Sequence, residues 1–80
     1  MPEISVGKLA GQLDYLFEDE PELRHAPVEQ LVERLNHDDR FARARSTYPL
    51  ESDDEIRRRV AEFPHRITRA DVEEALRRLP

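Results

Sequence analysis

Apolar residues in this 80-residue chain recur at helical spacing, and one stretch breaks the rhythm. Val6, Leu9, Ala10, Leu13, Leu16 and Phe17 fall at i, i+3 and i+4, which predicts a helix over 5–17 with Ser5 as its N-cap. The acidic turn Glu18-Asp19-Glu20-Pro21 ends it, and Pro21 is suited to begin a short turn through His25. Val28, Leu31, Val32 and Leu35 form the next stripe, with Pro27 at the first helical position. Continued further, that stripe would carry Asp39 and Ala42, while the next large apolar residue, Phe41, is out of phase. The pattern therefore predicts a helix end near Asn36, a residue that tolerates the left-handed C-terminal position. Residues 40–50 then predict a short two-stranded ribbon. Its tip falls near Arg45-Ser46, Phe41 anchors its mouth, and Pro49 sits on an edge strand.

Two further helices are marked by their starts. Ser52-Asp53-Asp54-Glu55 has the form of a capping box, and Ile56, Val60 and Phe63 make a stripe that stops at Pro64. Thr68 caps the last helix with Asp71 three residues on, and Ile67 is placed to staple onto Val72. Val72, Ala75, Leu76 and Leu79 share its inner face. The expected fold is mainly α, one domain over 1–80 in which a ribbon-bearing part, 1–50, precedes a C-terminal helix pair, 51–80. That pair is expected to share the core of the first helix, because Val60, Phe63, Val72 and Leu76 need cover. Gly7 and Gly11 lie four apart on the first helix and each costs about 1 kcal/mol relative to alanine. Either another backbone approaches there, or a small domain tolerates two poor helix formers.

Composition narrows the class. Leu, Ile, Val and Phe make up 20 of 80 residues, enough to fold but only around a thin core that a dimer or a partner would support. Cysteine is absent, which excludes disulfides and thiolate chemistry. No run approaches a membrane span or a signal peptide, so a cytoplasmic protein is expected. The net charge of −5 disfavours generic nucleic-acid binding. Its distribution is uneven: residues 1–38 carry nine acids and three bases, residues 39–80 nine acids and ten bases. An anion-facing surface is therefore expected in the second half.

Nothing in the chain has the pattern of an active site, and no cofactor or metal is expected. His25, His37 and His65 are too scattered for helical ligand spacing. His37-Asp38-Asp39 reads better as a solvated helix end than as a weak cation site. Arg57-Arg58-Arg59 follows Asp53-Asp54-Glu55 by four residues, and Glu73 and Glu74 precede Arg77 and Arg78 by four. These orders pair each arginine with an acid of its own helix. Arg43 and Arg45 have no acid beside them in the sequence, and Arg40, Arg43 and Arg45 lie with Thr47 and Tyr48 on the expected ribbon. Arginine and tyrosine so placed can contact phosphates; alternatively the ribbon only closes the fold.

Asp39-Arg40-Phe41 leading to Thr47-Tyr48-Pro49-Leu50 resembles the end of winged-helix domains, where a recognition helix runs into a wing. That likeness covers about sixteen residues and implies that the helix from Pro27 to Asn36 reads DNA. Glu29 and Glu33 on its exposed face depart from that role. The string Phe63-Pro64-His65-Arg66-Ile67-Thr68-Arg69-Ala70-Asp71-Val72-Glu73-Glu74-Ala75-Leu76, in a match of about twenty residues over 56–76, resembles the closing helix-turn-helix of VapB-type antitoxins. It implies a dimeric repressor that masks a toxin, with Arg66 and Arg69 facing DNA. The glycine-containing strand that usually precedes this string is missing here.

Two functions follow as expectations. One is a small, non-catalytic DNA-binding regulator of repressor or antitoxin type, dimeric, contacting double-stranded DNA through Arg40, Arg43, Arg45, Thr47, Tyr48, Arg66 and Arg69. The other is an acidic protein-interaction module, an adaptor or inhibitor that meets a partner's basic surface through Asp14, Glu18, Asp19, Glu20 and Glu22.

Overall fold

The computed structural model describes residues 4–79, and every regular element among them is helical. Helix α1 spans Val6–Asp19, α2 Val28–Thr47, α3 Asp53–Arg59 and α4 Arg69–Arg77. Short 3-10 turns occupy Pro21–His25 and Val60–Glu62. The starts follow the residues that mark them. Ser5 Oγ accepts from the Lys8 N–H at 3.1 Å, and Pro21 opens the first 3-10 turn. Thr68 and Asp71 close a full capping box, each side chain accepting from the other's backbone N–H at 3.2 Å. Ser52 caps only one way, accepting from Glu55 N–H at 3.3 Å, while the Glu55 carboxylate turns to Arg58. Pro27 is the N-cap of α2 rather than its first helical residue.

The main core joins α1, the first half of α2 and α4. Leu9, Leu13, Leu16, Phe17, Leu23, Leu31, Leu35, Ile67, Val72 and Ala75 form one buried cluster, with Val6, Ala10, Leu76 and Leu79 packed against it. Ile67 and Val72 are 3% and 0% exposed, so the residue before the cap and the fourth helical residue are sealed together. Helix α3 does not join this cluster. It packs with the second 3-10 turn on the second half of α2, where Ile56 and Ala44 are fully buried and Val60 and Phe63 half-buried. The shared core expected for both C-terminal helices therefore holds for α4 alone.

The two-stranded ribbon expected over 40–50 does not exist; α2 runs unbroken to Thr47, and no strand occurs among the described residues. The physical reason begins at Asn36, which is 2% exposed and ties two elements together instead of ending one. Its Nδ2 donates to Val32 O at 3.1 Å and Ile67 O at 2.8 Å, and its Oδ1 accepts from Arg66 N–H and Ile67 N–H at 3.2 and 3.0 Å. Asp39 does lie on the buried stripe, 8% exposed, and ion pairs with Arg43 and Arg66 at 3.0 and 2.8 Å make its burial tolerable. The phase break at Phe41 is real but marks a change of partner. The first half of α2 faces α1 and α4, and the second half faces α3. The continuous helix leaves no projecting wing at residues 40–50.

Candidate interaction surface

The arginines expected on a DNA-facing ribbon are instead struts between α2 and the chain that follows it. Arg40 donates through Nε to Phe63 O at 2.6 Å and through Nη2 to Val60 O at 3.0 Å, and its Nη1 meets His65 Nε2 at 2.9 Å. Arg43 bonds Pro64 O and Asp39 and lies over the Phe63 ring, 5.6 Å from its centroid. Its Nε is buried with no partner. Arg45 donates to Glu51 O at 2.9 Å, pairs with Asp53, and covers the Phe41 ring. Arg40 and Arg43 bond carbonyls between α3 and α4, and Arg45 one between α2 and α3, where the chain leaves α-helical geometry, so each arginine has partners within the fold.

The other expected DNA contacts are similarly occupied. Thr47 Oγ1 donates back to Arg43 O at 2.9 Å, within its own helix. Tyr48 Oη donates to Glu62 Oε2 at 2.8 Å under the Arg59 guanidinium, which stands 4.3 Å from the ring centroid. The hydrogen bond to Glu62 raises the Tyr48 pKa above its ordinary value, because ionising the phenol would remove the donor and set two anions together. Arg66 pairs with Asp39, and Arg69 with Glu29 and Glu73. Arg57 and Arg58 pair three residues back with Asp54 and Glu55, and Arg59 holds Glu51 and Glu62. Of the expected cations, Arg43 and Arg66 come together on the Asp39 carboxylate, and each of the five has a partner within the fold. The solvated helix end expected at His37-Asp38-Asp39 lies instead in the middle of α2, with His37 and Asp38 exposed and Asp39 turned inward.

The acidic set behaves differently. Glu20 takes a bidentate bond from Arg34 at 3.2 and 2.6 Å, which fixes the end of α1 to α2, and this bond raises the Arg34 pKa. Asp14, Glu18, Asp19 and Glu22 are exposed, and none enters an ion pair or side-chain hydrogen bond among the described residues. Glu18 and Asp19 stand in the last turn of α1, which carries no basic residue. Carboxylates at that end oppose the helix dipole by about 0.3–1 kcal/mol each. Tyr15, 75% exposed, lies between them and a hollow of about 870 Å³ that runs between α1 and α2. Its lining combines Leu16, Leu35, Gly11, Gln12 and Ala42 with charged groups of both signs, Asp19 and Arg34 among them. The hollow carries no hint in the sequence beyond Gly11 and Ala42, two small residues on helix faces outside the core. No family model matches the chain, and no curated protein or solved structure matches it.

Proposed function

We propose that the chain is a non-catalytic acidic protein-interaction module, an adaptor or inhibitor that sets the C-terminal end of α1 against a basic surface of a partner protein. The observation that carries this reading is the contrast in pairing. The arginines of α2 bond the protein's own carbonyls and carboxylates, whereas Asp14, Glu18, Asp19 and Glu22 are exposed without a counter-charge among the described residues, Glu18 and Asp19 adjoining the exposed Tyr15. A cationic partner would relieve the unfavourable charge at that helix end and find an aromatic ring to pack on. The DNA-binding alternative has lost its projecting element, and its cations would first have to leave their internal partners.

Titration of labelled protein with an arginine-rich peptide and with random duplex DNA, each over a salt series, tests both readings. Binding of the peptide, with amide shifts confined to residues 14–22 and lost on Asp14→Lys with Glu18→Lys, supports the acidic module. DNA affinity at low salt with a salt slope of several units would transfer the function to nucleic acid.

A further inference from the structure

Gly7 and Gly11 weaken α1, and a Cβ built on either meets nothing within 4 Å, so packing inside the chain gives neither glycine a reason. Both are exposed on α1, away from Leu9 and Leu13, and Gly11 lies one turn before the exposed Tyr15. On α1, Lys8, Gly11, Tyr15 and Glu18 follow at alternating three- and four-residue steps, the spacing of a seam that meets another helix at a shallow angle. The seam begins with Lys8 and ends with Glu18 and Asp19, all exposed and without a charged partner among the described residues. A helix face that is positive at one end and negative at the other is complementary to itself reversed.

We propose that this face docks a second copy of the chain, the two α1 helices packing antiparallel about a two-fold axis level with Leu13. Setting Tyr15 of one copy against Gly11 of the other puts Lys8 opposite Glu18 and one residue from Asp19, at both ends of the pair. Each phenol ring covers the bare backbone at Gly11, and the hollow alongside, bounded by Gln12 and Ala42, gives it room. The inference goes beyond the acidic-module reading and does not depend on it. The two readings use one face: the dimer covers Tyr15, Glu18 and Asp19, so a basic partner would compete with the second copy for them, and only Asp14 and Glu22 stay free in the dimer.

Sedimentation equilibrium of the full chain from micromolar to millimolar concentration, at about 0.15 M salt, provides the test. A reversible monomer–dimer equilibrium is expected, and Gly11→Arg should raise its Kd by at least about tenfold. The variant's fold is secured by the empty space at Gly11 and by arginine's better helix propensity, and a thermal melt at high dilution verifies it. Because the chain has no cysteine, register can be read directly. A mixture of Lys8→Cys and Glu18→Cys chains should oxidise to the mixed disulfide in preference to either same-site product. A chain that stays monomeric at millimolar concentration overturns the proposal. So does a dimer that Gly11→Arg leaves unchanged, or one in which same-site disulfides prevail.

Discussion

Asn36 satisfies four hydrogen bonds from a position 2% exposed, and two of its partners are the N–H and carbonyl of Ile67 as the chain enters α4. Asn36→Ala should cost about 2–4 kcal/mol in urea unfolding, since the backbone groups it leaves behind stay buried and unpaired. Asp39 is a second such residue. Asp39→Asn removes the charge that holds Arg43 and Arg66, and a loss of about 2–3 kcal/mol is expected, less than for a fully buried pair because both arginines keep some access to water. A loss below about 0.5 kcal/mol would show that Arg43 and Arg66 are held by other contacts. Tyr48 gives a pH-dependent counterpart. Its pKa is raised in the folded protein, so the contact with Glu62 contributes fully below the phenol's unfolded pKa and is lost as pH rises through the folded value. Ultraviolet titration should show a tyrosine ionising above the ordinary range, and Glu62→Gln should bring it down.

The elements were legible where local chemistry decides them. Ser5, Pro21, Ser52 and Thr68 each start the element they mark, and the apolar stripes of α1 and α4 are the faces they bury. The end of α2 was not legible, because its continuation depends on contacts far along the chain. A buried Asp39 argues against a helix until Arg66, remote in sequence, is known to meet it. The same error misassigned the arginines of residues 40–45. Read as a ribbon, Arg43 and Arg45 lack acidic neighbours; read as a helix, Arg43 stands one turn after Asp39. Sequence charge counts could not show which carboxylates would remain unpaired, so the acidic end of α1 was one candidate among several. Continuity of α2 has a direct check at Ala42, exposed in the middle of its second half. Ala42→Gly should lower stability by about 1 kcal/mol, as in any exposed helix interior, with the urea slope unchanged.

For the molecule as a whole, the order of elements and the order of packing disagree, since α1 leans chiefly on α4 at the opposite end of the chain. A fragment ending at Leu50 would expose Leu9, Leu13 and Leu31 without Ile67, Val72 and Ala75 to cover them. It should show no cooperative melt, and far-ultraviolet circular dichroism should fall well below the proportional share of the intact chain. The segment between α2 and α4 is attached in another way. Apart from Ile56, Val60 and Phe63, it is fastened to α2 by guanidinium groups that bond the carbonyls of Val60, Phe63 and Pro64. Such fastenings can open onto water one at a time, whereas the α1–α4 core must open together. Amide hydrogen exchange should therefore divide the chain into two units. The amides of α3 should exchange through a partial opening of lower free energy, while those around Leu13 and Val72 wait for global unfolding. The same opening would free Arg40 and Arg43 and expose the 53–63 segment to proteolytic nicking ahead of the rest of the protein.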